Sequence, residues 1–267
     1  MLPGQVTVMT GIGKSIRLAR VMPSNGSVIV PIDHGIEAYY PELEDPSKLV
    51  REFVEAKADA ILLRRGTLFK VHDILAGKAG IVYRITGATG TSTDPADQML
   101  VSSVDEAMRD GADCLVYTIT MGHPNEHEMF RGFGILSDEA HEREIPIMGE
   151  VEPWTKTTAN KAELIRQGTR SLCEEGADLM KCYFPDDVDY YRKIVKYSLV
   201  PIVAAGGAKM NTGRDVLEFV KRVMDAGAKG TSIGRNIWQY REPKKMINAI
   251  SKVVKEGASV DEALKAL

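Results

Sequence analysis

A lysine at position 181 stands inside the apolar run ADLMKCYF. An ammonium group loses its hydration in such a setting, so a lysine inside a strand is costly unless a partner or a chemical task retains it. Desolvation favours the neutral amine, and a neutral amine attacks a carbonyl to form a Schiff base. The residue alone allows two roles for Lys181, a Schiff-base nucleophile or a structural lysine that pairs with a carboxylate or reaches the solvent.

A second candidate group closes the apolar run VIVPI, where Asp33 is followed by His34 and Gly35. If both runs are strands that end at one edge, Asp33 could face Lys181, shuttle protons and steady an iminium. The alternative is that Asp33 only caps the loop that follows it. His34 is expected to bind substrate at the same strand end.

Two glycine-rich segments, AAGGAK and IGRN, follow the last two apolar runs. Glycine allows backbone N–H groups to approach a phosphate closely, and a nearby cation adds charge. These segments predict a phosphate site. Its expected residues are Gly206, Gly207, Lys209, Gly234 and Arg235.

Three arginines, Arg64, Arg65 and Arg84, also lie at the ends of apolar runs. They are candidates to bind a second anionic group of a substrate, the alternative being solvation or a salt bridge. His123 and His127 are four residues apart, but they lack the HExxH order and a proline beside His123 indicates a capped helical turn. No metal site is predicted.

A sequence pattern that recurs four times indicates the elements that position these residues. In each copy a polar stretch ends in small residues and is followed by an apolar run. The alanines of these copies, at positions 58, 112, 177 and 228, are 54, 65 and 51 residues apart. Four further apolar runs alternate with these. The eight candidate strands lie in SVIVPIDHG, ADAILLRRG, AGIVYRITG, ADCLVYTITMG, EIPIMGEVEP, ADLMKCYF, LVPIVAAGG and KGTSIGRN.

The stretches between these strands have apolar residues at helical spacing, and DPSKLVREFVEA begins with Asp45 as a plausible N-cap. Eight strand and helix units in this length predict a single-domain (β/α)8 TIM barrel over residues 1–267. An N-terminal helical extension of about residues 1–26 should cover the barrel bottom, and SVDEALKAL should form a C-terminal helix. A doubly wound open sheet is the alternative. In a barrel the active site lies at the carboxyl ends of the strands, with phosphate after strands seven and eight.

Composition excludes several classes of protein. The chain has 267 residues, 44% of them hydrophobic and 6% aromatic, and a net charge of -3. We therefore expect neither nucleic-acid binding nor a membrane span, which needs about 18 consecutive apolar residues. The three cysteines have no metal or disulfide spacing, so a cytoplasmic location is expected.

The motifs VIVPIDHG, GADLMK, VAAGGAKMNT and AGAKGTSIGRNIWQ resemble, in order and spacing, the archaeal-type class I fructose-bisphosphate aldolase family. That family includes the 2-amino-3,7-dideoxy-D-threo-hept-6-ulosonate synthase branch, to which the likeness is closest, and autoinducer-processing thiolases. The resemblance implies a homo-oligomer, pentamer or decamer, in which Lys181 forms the Schiff base and Asp33 assists. It further implies that the loops around Gly207 and Gly234 hold a substrate phosphate and that no cofactor is used.

The segment GEVEPWTK departs from this pattern, because the family places a tyrosine where this chain has Glu152 and an arginine where it has Trp154. Proton transfer would then fall to Glu152, Glu150 or Tyr117. The expected function is a metal-independent class I aldolase or aldolase-like transferase that acts on a phosphorylated ketose through a Lys181 iminium. The alternatives are thiolase-like acyl transfer on a phosphorylated diketone and a phosphosugar-binding protein without catalysis.

Overall fold

The computed structural model describes residues 11–267, in which ten strands alternate with eleven helices. The strands are β1 (Ser27–Pro31), β2 (Ala60–Leu63), β3 (Gly80–Arg84), β4 (Thr86–Gly87), β5 (Met99–Leu100), β6 (Cys114–Met121), β7 (Ile147–Pro153), β8 (Leu179–Tyr183), β9 (Ile202–Ala205) and β10 (Gly230–Ser232). The helices are α1 (Ile12–Val21), α2 (Pro46–Glu55), α3 (Arg65–Leu75), α4 (Val104–Arg109), α5 (Glu126–Glu142), α6 (Lys161–Glu174), α7 (Val188–Tyr197), α8 (Gly213–Asp225), α9 (Arg235–Trp238), α10 (Pro243–Glu256) and α11 (Val260–Leu264).

Eight of these strands close into a parallel barrel in the order β1-β10-β9-β8-β7-β6-β3-β2. Each predicted apolar run supplies one barrel strand, so the predicted (β/α)8 barrel is confirmed and the doubly wound open sheet is wrong. The predicted N-cap is also present, since the Asp45 side chain accepts hydrogen bonds from the backbone N–H groups of Ser47 and Lys48.

Side chains alternate along each strand between the barrel interior and the surrounding helices. On β6, Val116 belongs to the interior cluster, whereas Leu115 and Tyr117 belong to the cluster between barrel and helices. The interior cluster is small and apolar, and the charged side chains of the barrel strands lie at its open end. It comprises Val21, Ile29, Ala60, Leu62, Val82, Cys114, Val116, Met148, Leu179 and Val203.

Helix α1 lies across the amino-terminal end of the barrel. Its Lys14 pairs with Asp178 at 3.0 Å, and Arg20 pairs with Asp113 at 2.8 Å. Both aspartates directly precede barrel strands, so the two ion pairs hold α1 against the barrel bottom. The first ten residues of the predicted extension lie outside the described residues. Within residues 11–267, no helix is both long and apolar enough to cross a membrane.

An unpredicted antiparallel hairpin, β4 and β5, carries residues 88–98 across the open end of the barrel. The loop is held at several points. The backbone N–H of Gly90 donates to the Ile36 carbonyl at 2.8 Å, and the Thr120 hydroxyl donates to the Ala96 carbonyl at 2.7 Å. Asp94 lies 3.2 Å from Nε2 of His123. The hairpin therefore forms one wall of the barrel mouth.

Candidate active site

A cavity of about 470 Å³ opens at the carboxyl ends of the barrel strands. It gathers half of the predicted site residues, namely Asp33, His34, Arg84, Glu152, Lys181 and Arg235, together with Arg64, Glu150 and further partners. Its charged and phenolic lining residues are Asp33, His34, Glu37, Arg64, Arg84, Asp94, Glu150, Glu152, Lys156, Lys181, Tyr183 and Arg235.

Lys181 lies on β8 directly beside Glu150 of β7, with which it is in register. Its side chain is only 9% exposed, and the ammonium contacts Oε1 of Glu150, whose side chain is 2% exposed. The neighbouring Cys182 points outward to Thr169 of α6, as the alternation predicts. Lys181 is therefore a buried amine in contact with one carboxylate inside a cavity.

Arg84 connects this pair to Asp33. Its Nε donates to Oδ2 of Asp33 at 2.7 Å, and its Nη1 contacts both Oε2 of Glu150 and the Thr118 hydroxyl. The Thr118 hydroxyl donates a further hydrogen bond of 3.0 Å to Glu150. Asp33 is thus linked to Lys181 by the contacts of Arg84 and Glu150 rather than by a direct hydrogen bond.

The charges of these side chains hold both carboxylates ionised. Burial would raise the pKa of Asp33, but the charges of Arg84, His34, Lys181 and Arg64 together outweigh it, Arg84 contributing most, and the pKa lies well below its usual range. Burial acts on Glu150 in the same direction, and Arg84 with Lys181 lowers its pKa to about 2. Both carboxylates are therefore anionic at neutral pH, beside Arg84 and Lys181.

Glu152 follows on the same face of β7, nearer to the mouth. Burial raises the pKa of its carboxyl to about 7, and the negative charge of Glu150 adds to the rise against the opposing effects of Lys181 and Arg84. The Tyr183 hydroxyl donates to Oε1 of Glu152 at 3.2 Å. A carboxyl with this pKa exchanges a proton readily near neutral pH.

The predicted phosphate loops meet at Arg235, whose Nη2 donates to the Gly207 carbonyl at 3.0 Å. Nε of Arg235 is buried and has no hydrogen-bond partner in residues 11–267. Gly207 has a φ of +65° with open space where a Cβ would lie, and a Cβ at Gly234 would come within 2.8 Å of the Pro31 carbonyl. Both glycines are required by the backbone, and the free guanidinium N–H is available to an anion.

His34 lies at the same end of the cavity. Its Nδ1 is 3.5 Å from Oδ1 of Asp33, and its ring packs edge-on against Trp238 and Tyr40. Burial lowers the pKa of the imidazole more strongly than Asp33 raises it. His34 is therefore mainly neutral at neutral pH and can donate or accept one hydrogen bond there.

Three predicted side chains lie away from the cavity, and the predicted glycines Gly206, Gly207 and Gly234 are not among its lining residues. Tyr117 points outward from β6, and its hydroxyl donates to the Met129 carbonyl of α5 at 2.9 Å. Burial raises its pKa to about 12. Its expected role in proton transfer is therefore wrong, because the odd positions of β6 face the helices. Arg65 begins α3 beside Glu106 at 3.4 Å, and Lys209 is exposed outside the cavity lining.

Arg64 lines the cavity in place of Arg65, and its guanidinium donates to the carbonyls of Asp33 at 3.1 Å and Thr86 at 2.9 Å. Burial lowers the pKa of Arg64. The two candidate histidines have separate environments. His123 accepts a hydrogen bond from the Asn125 N–H and contacts Asp94, whereas His127 is exposed. His123 thus anchors the hairpin loop.

Comparison with known proteins agrees with this geometry. Relatives at 29% identity include an uncharacterised aldolase of Saccharolobus solfataricus, over 96% of this chain and 99% of that one, and 2-amino-3,7-dideoxy-D-threo-hept-6-ulosonate synthase of Halobacterium salinarum, over 96% and 97%. A solved structure of a Schiff-base-forming fructose-1,6-bisphosphate aldolase superposes with a TM-score of 0.83, 29% identity and coverage of 90% and 99%. The profile of the DeoC/LacD family aldolases matches residues 27–240, and the chain belongs to that family.

Proposed function

We propose that this protein is a class I aldolase or aldolase-like transferase that makes or breaks a carbon–carbon bond in a phosphorylated ketose through a Lys181 iminium. The observation that carries the proposal is the buried contact between the Lys181 ammonium and Glu150, inside a cavity that also contains Arg235. The amine, its carboxylate partner and an anion-binding group are the parts that this reaction needs.

The iminium forms when the neutral Lys181 amine attacks the ketone and the resulting hydroxyl leaves as water. Lys181 must first lose a proton, which the neighbouring Glu152 can accept because its pKa is about 7. Glu152 then returns this proton to the hydroxyl that leaves as water, and it is a carboxylate again before cleavage. The iminium then carries a positive charge close to Glu150, and Asp33 lies one arginine farther away. These two anions stabilise that charge, while Arg84 keeps them ionised and in place.

In the cleavage direction, Glu152 removes the proton from the hydroxyl of the carbon that becomes the aldehyde. The carbon–carbon bond breaks, and its electron pair moves onto the iminium to give an enamine. The protonated Glu152 then returns its proton to the enamine carbon, and water releases the ketone product from Lys181. The same steps in reverse describe synthesis, so the site supports either direction.

The substrate phosphate binds at the opposite side of the cavity, between the loops that contain Gly207 and Gly234. Arg235 supplies a buried guanidinium with one unused N–H. Binding energy from a remote phosphate orients the ketone carbon against the lysine. The similarity to 2-amino-3,7-dideoxy-D-threo-hept-6-ulosonate synthase and to a Schiff-base-forming fructose-1,6-bisphosphate aldolase supports this assignment.

Borohydride trapping tests the proposal. The protein is incubated with a panel of phosphorylated ketoses, reduced, digested and analysed by mass spectrometry. We expect a covalent adduct on Lys181 that does not depend on added metal and is undiminished by a chelator, with Lys181→Arg as the unlabelled control. Label with acyl transfer to a thiol acceptor would favour the thiolase-like alternative. Binding of the panel without any label would leave only a phosphosugar-binding protein. Light scattering tests the predicted pentamer or decamer separately.

A further inference from the structure

A second cavity lies at the amino-terminal end of the barrel, opposite the candidate active site. Its volume is about 740 Å³, which is in the range of small-molecule sites. It sits where α2 and α3 end and β2 and β3 begin. The residues that line it and matter here are Arg20, Val54, Lys57, Asp59, Leu75, Lys78, Ile81, Asp113 and Lys255.

The two carboxylates of this cavity are fully engaged. Asp59 contacts Lys255 at 2.7 Å and accepts a backbone N–H of β1 at 2.8 Å. Asp113 contacts Arg20 at 2.8 Å and accepts a backbone N–H of β3 at 3.0 Å. Each carboxylate is thus neutralised by one cation and tied to one strand.

Four cations and two carboxylates of the described residues line the cavity, so the positive charges of Lys57 and Lys78 are not compensated among them. Within the described part of the chain, neither Lys57 nor Lys78 has an ion pair or a side-chain hydrogen bond, and both are exposed. Two unpaired lysines on one cavity make a local site for an anion in a protein whose overall charge is -3.

The backbone at Lys57 is a separate observation that points to the same residue. Lys57 has a φ of +58°, in the left-handed region. The corresponding positions of the other three junctions are Gly111, Gly176 and Gly227, with φ of +82°, +94° and +104°. Glycine is the unstrained residue there, and a lysine costs about 1 kcal/mol.

Only one other helix-to-strand junction in residues 11–267 has a non-glycine residue with positive φ, Glu144 at +53°. The Glu144 carboxylate accepts a hydrogen bond of 2.8 Å from the backbone N–H of Gly13 and so fastens α1. Glu144 therefore has a structural contact that accounts for its side chain. The Lys57 side chain has no such contact with residues 11–267, which points to a partner from outside the chain.

We propose that this cavity binds a small phosphorylated metabolite, with the phosphoryl group between Lys57 and Lys78. A phosphate monoester carries a charge of roughly -1.5 to -2 at neutral pH, which matches the two uncompensated charges. The half-buried side chains of Val54 and Ile81 and the buried Leu75 offer an apolar wall to its carbon skeleton. The site is independent of the Schiff-base chemistry at the other end of the barrel.

Calorimetric titration of the full chain with inorganic phosphate, pyrophosphate and adenosine 5′-monophosphate tests this site. All variants are made in an Arg235→Gln background, which removes the proposed phosphate-binding guanidinium at the mouth of the barrel. In that background we expect Lys57→Gly and Lys78→Gln each to weaken the remaining binding by about tenfold or more. Lys57→Gly places glycine where the other junctions have it, so the fold is retained. The matched control is Lys229→Gln, an exposed lysine on the same end of the barrel outside the cavity.

A crystal of the Arg235→Gln variant soaked in pyrophosphate should show density between Lys57 and Lys78. The site is refuted if the Arg235→Gln variant binds none of the three probes. It is also refuted if the Lys57, Lys78 and Lys229 variants all bind the probes as tightly as the Arg235→Gln background does. Neither result bears on the proposed Schiff base, since borohydride trapping at Lys181 tests only the cavity at the carboxyl ends of the strands. Conversely, loss of trapping would leave the phosphate titration unchanged.

Discussion

The Tyr183 hydroxyl donates a hydrogen bond of 3.2 Å to Oε1 of Glu152, and both side chains line the cavity that contains Lys181. The resemblance to class I aldolases implies a phenol at position 152, where this chain has a carboxyl. The neighbouring strand nevertheless supplies a phenol from position 183. The negative charge of Glu152, together with burial, raises the pKa of Tyr183 well above its usual value. Tyr183 therefore remains a hydrogen-bond donor at the pH at which Glu152 exchanges protons.

Lys181→Ala and Lys181→Arg should both abolish turnover and borohydride labelling, because neither side chain forms an imine. The fold should survive in both, since Glu150 keeps its contact with Arg84 when the ammonium is absent. Kinetics, mass spectrometry and circular dichroism measure the three effects. A turnover rate near that of the wild type in either variant would remove Lys181 from the mechanism.

Glu152→Gln should still trap the iminium on long incubation, because water can take the Lys181 proton slowly. It should lose turnover, and the limb of the kcat profile near pH 7 should disappear. Tyr183→Phe should keep most of the turnover and shift that limb to higher pH. The direction follows because a hydrogen bond to the carboxylate lowers the pKa of Glu152, and the phenylalanine removes it. If Tyr183→Phe instead lost turnover while Glu152→Gln kept it, the phenol would be the proton carrier.

Glu152 should also make stability depend on pH. Its pKa is 4.5 in an unfolded chain and about 7 here, so between these values the folded state holds a proton that the unfolded chain has released. Stability due to this group is greatest below the unfolded pKa and falls as pH rises through the folded pKa. From about pH 5 to about pH 8, wild type should lose about 2 kcal/mol relative to Glu152→Gln, allowing for partial exposure. Urea unfolding at both pH values measures the difference, and parallel curves would contradict the shifted pKa.

The barrel and the placement of Lys181 and Asp33 were predictable from local features. Each strand is a short apolar run that follows a small-residue junction, and this pattern depends on neighbours in sequence alone. The partners of Lys181 were not predictable in the same way. Whether Glu150 or Glu152 contacts the ammonium depends on the register of β7 against β8, which couples residues 31 positions apart.

Two errors are each off by one residue. A shift of one residue along a strand reverses the face to which a side chain points. Thr118 therefore contacts Glu150, while the adjacent Tyr117 packs on α5. The second error lies at a helix start, because Arg64 precedes α3 and enters the cavity, while Arg65 already belongs to α3. The hairpin loop of residues 88–98 has no hydrophobic periodicity, so its position over the mouth follows from tertiary contacts such as that between Asp94 and His123.

Arg235→Gln should weaken the binding of phosphorylated substrates by about tenfold to a hundredfold, because it removes a charge-assisted hydrogen bond to phosphate. The binding of their dephosphorylated analogues should not change. Lys209→Gln is the matched control, since that lysine carries the same charge near the same loop but is exposed outside the cavity lining. We expect no change in the control. Equal losses for both kinds of substrate would mean that Arg235 only shapes the loop through its bond to Gly207.

Arg84 allows a test between two roles, binding of a substrate anion and positioning of the buried carboxylates. Its guanidinium already contacts Asp33 and Glu150, and both carboxylates are almost fully buried. Arg84→Met should therefore destabilise the fold by about 3 to 5 kcal/mol, because it leaves buried charges without a partner. It should also raise the pKa values of Asp33 and Glu150, whose depression depends mainly on Arg84.

Arg84→Lys keeps one positive charge but cannot bridge two carboxylates with a planar fork, so we expect an intermediate loss of stability and a fall in kcat with little change in KM. Urea unfolding and steady-state kinetics with phosphorylated and dephosphorylated substrates measure the two effects. Arg109→Met, on the exposed face of α4, controls for the loss of a surface arginine. If a variant of Arg84 remained as stable as wild type but lost the preference for phosphorylated over dephosphorylated substrates, this arginine would be assigned to substrate binding.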